Sequence, residues 1–387
     1  MFWCIATLMG CAGNIHQLYE QEKHAVLKPA ALPRAESWDG DIHIRISPGA
    51  LSEVSQAAMD AGLLAWKKKL TLDTPIGPIA SIRPRAQVTR LTLAPGGRCP
   101  DCLSLSGTLE GSATWKAGPV SGVVPFTAAL AGDLAVSIER DGTDWAVMGA
   151  LAELSRLKVS AASVGSIDVS RQLSTWGKAA VDAAPAFRIS TLGGDELPLR
   201  ALRLSVDEAG IGLEALADVN GGASIPASEA PLESDWQLRT STQTALAIMR
   251  RAAFEAGLLE NDVALDPRAL TADASQFTLD LRIWRLAGAG WWRDYSVDGR
   301  MRVRGRKIEL EGEEAHKVSS SRGAGLADPI ALLVEGRILE AIVDSLKQVV
   351  PGSRSAAIGD HKLKAVTREI KGIDSELVLT GVMKLED

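Results

Sequence analysis

The chain has 387 residues, 46% of them hydrophobic and 23% charged, with a formal net charge of −6. This is an ordinary globular balance in a chain long enough for two or three cored domains, so wholesale disorder is excluded. The acidic excess argues against a nucleic-acid partner, and histidines scattered at His16, His24, His43, His316 and His361 are thin material for acid–base or metal chemistry.

The N-terminal stretch FWCIATLMGC is short and apolar and ends in Leu8-Met9-Gly10-Cys11, followed by Ala12. It resembles a bacterial lipobox, in which a signal peptide is cut before a cysteine that then carries lipid. The resemblance implies a signal peptide over 1–10 and acylation at Cys11. Ala12 rather than Asp in the next position implies a lipid-anchored protein of the outer membrane, facing the periplasm. A hydrophobic N-terminus with a chance cysteine is the competing reading. No later apolar run approaches the roughly 20 residues of a membrane-spanning helix. Residues 11–40, with Lys28-Pro29-Ala30-Ala31-Leu32-Pro33 and little periodicity, are expected to be anchor and tether.

Ile42-His43-Ile44-Arg45-Ile46 alternates as a short strand. Ser47-Pro48 then supplies an N-cap and a proline at the first helical position. The helix that follows is expected to put Leu51, Val54, Ala58, Ala61 and Ala65 on one face and to end in Lys67-Lys68-Lys69, cations suited to a helix C-terminus. An antiparallel meander is expected over residues 70–160. LSLSGTLEGSATW (103–115) alternates apolar or small with polar residues throughout, and Val124 to Ile138 does the same. At about 3.3 Å per residue the first of these runs roughly 40 Å, about twice the usual strand. Gly107 and Gly111 fall on its apolar face, where they are expected to let the strand bend and make room for a helix or another apolar body. Asp141-Gly142 is a hairpin signal. Cys99 and Cys102, in GGRCPDC between two strands, read as a disulfide staple at a hairpin tip. A thioredoxin-like site would need a βαβ unit there, and a zinc site two more ligands.

From Val169 the period becomes helical, with Leu173, Trp176, Ala180 and Ala184 on the same face before Pro185, and residues 197–216 return to strands. The same order then recurs. A strand at Trp236-Gln237-Leu238 leads to a cap at Thr240 or Ser241 and a helix carrying Ala245, Ile248, Met249, Ala252 and Ala256. Long strands follow, with Phe277, Leu279, Leu281 and Ile283 on one face. Asp328-Pro329 opens a helix to about Val350, and closing strands occupy 363–385. That last helix has two apolar stripes, one through Ile338 and Ile342 and one through Leu339, Val343 and Leu346, where a surface helix needs one. Residues 218–233, DVNGGASIPASEAPLE, have linker composition. The expected fold is α+β, with two tandem units of one architecture over 41–217 and 234–387.

This order resembles the tubular lipid-binding superfamily of bactericidal/permeability-increasing protein, whose members wrap a long curved antiparallel sheet around a long helix. The resemblance is carried by IHIRISPGALSEVSQAAMDAGLLAW, by the strands 103–115 and 124–138, and by KAVTREIKGIDSELVLTGVMKL. With its lipobox the chain is more similar to bacterial lipoprotein members. The resemblance implies an elongated tube with no catalytic activity, no cofactor and no metal, and a phospholipid or glycolipid as partner. Acyl chains would lie in an apolar seam lined by Leu51, Val54, Ala58, Leu105, Leu109, Phe126, Leu130 and Trp176 in the first unit. In the second unit the lining would be Ile248, Met249, Leu279, Leu281, Ile338, Ile342 and Leu346.

GRMRVRGRKIEL places Arg300, Arg302, Arg304 and Arg306 on one strand face. This is either a solvated face or, at Arg302, Arg304 and Arg306, a stripe that meets anionic head groups. Gly288 to Trp292 reads as a membrane-interface tip or as core at a hairpin end. No HExxH, GxSxG, GxGxxG or P-loop occurs, and the acidic groups at Asp39/Asp41 and Glu311/Glu313/Glu314 lack a metal-loop pattern. An envelope scaffold or adaptor with the same fold and no cargo is the alternative function.

Overall fold

The computed structural model describes residues 3–29, 38–60, 65–67, 70–71, 80–117, 119–142, 144–161, 169–182, 186–193, 199–208, 210–228, 232–259, 262–304, 307–321, 353–358 and 361–386. The expected helix 328–350, with Ile338, Ile342 and Leu346, lies outside these residues, as does Arg306. The described part is α+β, built mostly from antiparallel sheet with a few helices.

The chain begins with α1 (Trp3–Leu27), β1 (Ile42–Ile46) and α2 (Pro48–Asp60). A meander follows, with short β2 (Ala65–Lys67) and β3 (Leu70–Thr71) pairing onto β4 (Ala80–Pro95), then β5 (Cys102–Ala117), β6 (Val120–Asp141) and β7 (Asp144–Ala161). After α3 (Val169–Asp182) come β8 (Phe187–Gly193), β9 (Leu199–Asp207) and β10 (Gly210–Ala217). The later part runs β11 (Trp236–Ser241), α4 (Thr242–Ala256), β12 (Val263–Asp273), β13 (Gln276–Arg285), β14 (Trp291–Arg304) and β15 (Lys307–Ser320). It closes with β16 (Ser353–Ile358), β17 (His361–Ile373) and β18 (Glu376–Glu386). The long alternating strands form as their period predicts: β5 spans 16 residues and β6 spans 22.

One sheet joins the two halves of the chain, in the order β16-β17-β18-β11-β1-β10-β9. Its middle pair is β1 against β11, from Ile42↔Thr240 to Ile46↔Trp236. Residues 41–217 and 234–387 therefore share this sheet. Beneath this sheet Ile42, Ala215, Trp236 and Leu379 are buried together with Ala245, Ile248 and Met249 of α4 and Leu265, Leu279 and Leu281 of the sheet β12-β13-β14-β15. Ser241 caps α4, its hydroxyl oxygen accepting from the Thr244 amide at 3.0 Å.

The stretch 218–228 has the composition of a linker but is fastened down. Val219 and Ile225 are buried, the Ala223 amide donates to Thr244 Oγ1 at 3.0 Å, and Arg239 Nη1 donates to the Pro226 carbonyl at 3.2 Å.

Two local expectations are corrected. Ala65 to Lys67 belongs to β2 rather than to the end of a helix, with Ala65 opposite Gln87. Pairing with the edge of β4 overrides a lysine-rich helix ending whose local preference is weak. The expected tether over 11–40 is helical as far as Leu27. Its docked stripe, Ile15, Tyr19, Glu22 and Val26, mixes a carboxylate and a phenol with aliphatic residues, which hid the helical period.

Candidate functional site

The sheet β2-β4-β5-β6-β7-β8 has one apolar and one polar face along β4 to β7. Register builds the apolar face row by row. Leu91, Gly107, Leu130 and Leu157 oppose one another across the four strands, and so do Val88, Leu109, Ala128 and Val159. The reverse face carries exposed Arg83, Arg85, Thr108, Glu110, Arg156 and Lys158.

Two protein cores press on the ends of the apolar face. At one end Leu103, Leu134, Val136 and Val147 are buried with Ile211 of β10, and Leu51 of α2 packs against them. Ser52 Oγ ties α2 to this end by donating to the Leu93 carbonyl at 3.2 Å. At the other end Ala86, Ala113 and Phe126 are buried with Leu173 of α3, flanked by Trp115 and Val159. Between them Leu91, Leu105, Leu109, Leu130 and Leu157 belong to neither core among the described residues, and each is only half-buried. The interval from Leu105 to Leu109 is about 13 Å along β5, and the four strands span about 14 Å across it. A Cβ on Gly177 would lie 2.5 Å from Leu157 Cδ2, so the backbone of α3 closes one edge of the interval.

The two glycines of β5 differ. The space beside Gly111 is filled by its cross-strand partner, since a Cβ there would lie 2.8 Å from Phe126 Cζ. Phe126 therefore packs into the sheet and α3 rather than lining an open seam. At Gly107 a Cβ would lie 2.7 Å from the Arg90 carbonyl oxygen, so this glycine is required by the close approach of β4, while the side chains beside it, Leu91 Cδ1 at 3.4 Å and Leu130 Cδ1 at 3.6 Å, are only in van der Waals contact.

The other expected residues are distributed as follows. The side chains of Val54, Ala58 and Trp176 lie outside the described residues, as does that of Cys11, although its backbone is part of α1. Ile248, Met249, Leu279 and Leu281 are covered by protein on every side in the core under the central sheet. Arg302 and Arg304 are exposed on β14, but register sets Arg300 opposite Glu311 and Arg302 opposite Glu309. Arg304 stands opposite Lys307, so register answers Arg300 and Arg302 with carboxylates and sets Arg304 against another cation. Trp291 and Trp292 are half-buried against two cores, with the Arg282 guanidinium 4.0 Å from the Trp292 ring centroid. Cys99 and Cys102 form the expected disulfide at the β4–β5 tip, where Asp101 takes a positive φ of 55° and its carbonyl accepts from the Val136 amide at 3.1 Å.

Residues that sequence pattern missed include Val88, Leu91 and Leu157. A bulge between Val88 and Arg90 sets Val88 and Leu91 on one face three residues apart, which breaks the period of two. In β7 two one-residue bulges lie between the pairs Leu134↔Leu151 and Leu130↔Leu157; the first shifts the phase and the second restores it, so the alternation is interrupted only across 151–157.

Two buried titratable groups sit at the junction of the halves, and a third, Asp266, lies on β12, where burial raises its carboxyl. Burial pushes the Asp41 carboxyl up to about 6, while the same cause depresses His43. Both side chains serve the fold: Asp41 Oδ1 accepts from the Ala217 amide at 2.9 Å, and His43 Nε2 lies 3.3 Å from the Gly40 carbonyl. Among the described residues no group of His, Cys, Asp or Glu is placed to hold a metal ion.

No protein-family model matches the chain, and no curated protein matches it. Among solved structures it is similar to one described as lipopolysaccharide binding protein, at 9% identity and a TM-score of 0.43, over 90% of this chain and 100% of that one. It is also similar to P47 of Clostridium botulinum E1, at 10% identity and a TM-score of 0.38, over 90% of this chain and 100% of that one. Likeness at this level is too distant to carry an argument about what the chain does.

Proposed function

We propose that the protein is a non-enzymatic lipid-binding protein of the bacterial envelope that holds acyl chains against the apolar face of β4 to β7. The observation that carries this is the interval of half-buried leucines between the two cores, where Leu105, Leu109 and Leu130 face the same way as Leu91 and Leu157. Each methylene withdrawn from water there is worth about 0.8 kcal/mol, and head groups stay at the polar rim. The partner on this reading is a phospholipid or glycolipid. The order strand, helix, long meander and closing strands on either side of the β1–β11 pair supports two units of one architecture. A signal peptide over 1–10, acylation of Cys11 and an outer-membrane location facing the periplasm complete the reading.

The second unit favours the cargo-free alternative for its own part. Leu279 and Leu281 are fully buried against α4 and the central sheet, so among the described lining residues of this unit an acyl chain finds no bare leucine. Cargo is assigned to the first unit alone. The test is lipid extraction and mass spectrometry of the purified protein, with uptake of a fluorescent phospholipid by the wild type and by Leu109→Asp and Leu130→Asp. Recovered phospholipid or glycolipid, and uptake lost in both variants, is expected. No recovered lipid and no uptake by the wild type would leave the scaffold. Labelled palmitate incorporated by wild type and absent from Cys11→Ser is the expected outcome for the anchor.

A further inference from the structure

The helix that replaces the expected tether has a fixed direction. Its Tyr19 ring packs tilted against Phe254 and edge-on against Trp284, with centroids at 5.6 and 5.9 Å, and Glu22 reaches Arg250 at 3.1 Å and Arg268 at 3.3 Å. The carbonyl of Ala25 accepts from Asn220 Nδ2 at 3.5 Å. α1 therefore lies antiparallel to α4, with residue 19 beside 254 and residue 22 beside 250. Traced backward, it reaches the turn between β13 and β14: a Cβ on Gly290 would lie 2.9 Å from Ile15 Cγ2. α4 has ended by then, at Gly257, and the next residues, Leu258 and Leu259, are 48% and 38% exposed. The Leu286 amide binds that loop to the turn by donating to the Asp262 carbonyl at 2.8 Å. Leu18 on α1 is 39% exposed.

Beyond Ile15 the helix continues over residues 3–14, about 18 Å at 1.5 Å per residue, through WCIATLMGCAGN, which contains no charged residue. Among the described residues no helix is long and apolar enough to cross a membrane. About 18 Å is also short of the roughly 30 Å hydrocarbon core. An uncharged helix end and exposed leucines thus lie near one another where α4, the β13–β14 turn and α1 meet, on a helix clamped to the body by aromatic contacts and two ion pairs.

We propose that this end is a bilayer-contact surface. The start of α1 enters the interface of a phospholipid membrane without spanning it, Leu18, Leu258 and Leu259 seat against the same surface, and the docked half of α1 is a rigid mount that sets the orientation of the body. Under the reading of the preceding section, which the surface itself does not require, cleavage before Cys11 leaves residues 11–14 of this stretch, about one helical turn beyond Ile15, and the lipid on Cys11 takes the place of residues 3–10 as the inserting group.

Hydrogen exchange of the full chain, alone and with vesicles of phosphatidylethanolamine and phosphatidylglycerol, tests the surface. Slowed exchange is expected over 257–262, 286–291 and the start of α1 up to residue 18, counted from residue 3 in the unprocessed chain and from Cys11 in the processed one. None is expected around Val120 and Val123, which are more exposed, at 57% and 64%, but lie at a turn of the other long sheet. The double variant Leu258→Glu/Leu259→Glu is expected to sediment with vesicles about tenfold more weakly, or worse, at an unchanged melting temperature. Its uptake of fluorescent phospholipid through the Leu109 face should be unaltered, so the surface can fail while lipid binding stands, and the reverse. The proposal is overturned by protection at 118–123 instead, by wild-type sedimentation of the double variant, or by vesicle-independent protection of these segments that grows with protein concentration, which would mark a contact between copies.

Discussion

Replacing Asp41 by Asn should stabilise the protein near neutral pH, and by an amount that depends on pH in a defined direction. Asp41 is 3% exposed and sits where β1, β10 and β11 meet, its amide donating to the Ala215 carbonyl at 3.0 Å and its carbonyl accepting from Thr240 Oγ1 at 3.0 Å. Burial raises its carboxyl from 3.8 to about 6, against the opposing pull of the Ala217 amide and Arg200. A carboxyl whose folded pKa lies above its unfolded one favours folding most fully below pH 3.8, and that contribution is lost as pH rises through about 6. At about 1.36 kcal/mol per pH unit, the ionised side chain costs about 3 kcal/mol at pH 7. Between pH 7 and pH 5 about 1.3 kcal/mol of this is recovered as the folded carboxyl takes up its proton. Asn keeps an oxygen for the Ala217 amide and carries no charge to desolvate. Urea denaturation of wild type and Asp41→Asn at pH 5, 6 and 7 reads the difference directly. The stability of the variant relative to wild type should grow by about 1 kcal/mol or more from pH 5 to pH 7. A difference that stays flat over that range, or grows toward pH 5, would refute the reasoning, whatever its absolute size.

Gly381→Ala should destabilise the central sheet by about 1–3 kcal/mol in chemical denaturation, because the new Cβ would lie 2.7 Å from the Trp236 ring and 2.1 Å from the Val366 carbonyl oxygen. Tyr19→Ala should release α1 at a local cost of about 3 kcal/mol, since Tyr19 is 2% exposed between Phe254 and Trp284. Hydrogen exchange should then show residues 15–27 unprotected while the main unfolding transition stays in place. Arg239→Met should cost about 2–4 kcal/mol by calorimetry, leaving Glu376 without the guanidinium that binds both its oxygens at 2.8 and 2.9 Å across β11 and β18. Cys99→Ser/Cys102→Ser closes no loop and should cost about 2 kcal/mol or less, the small figure expected when only three positions separate the cysteines. Lipid uptake should be untouched, because the staple sits at the tip, outside the leucine interval.

Secondary structure was legible wherever one face of an element meets water and the other meets protein. β1, β5, β6 and α4 announce themselves by period, and Ser47, Ser241 and the Asp141-Gly142 turn mark their ends as expected. The candidate face was half legible. Leu105, Leu109 and Leu130 follow from strict alternation, whereas Val88 and Leu91 flank a bulge that shifts the phase and Leu157 follows two bulges that interrupt it. α1 was not legible because its buried stripe is held by Glu22 and Tyr19, whose value depends on Arg250, Arg268 and Phe254 more than two hundred residues away.

What the sequence determined by itself is local: alternation makes long half-buried strands, and caps and turn residues place their ends, because these depend on neighbours a few positions apart. Three matters were decided only by the tertiary structure. β1 of one half pairs with β11 of the other, so the halves share a sheet. Leu279 and Leu281 are sealed in a core while Leu105 and Leu109 are left half-covered, although both pairs alternate alike. From Ile15 to Val26 the first helix is clamped to the body by residues of the second half. In each case the alternation or composition states only that a side is apolar. Which apolar sides protein covers depends on what the rest of the chain brings against them, and that is a property of long-range packing that no local pattern encodes.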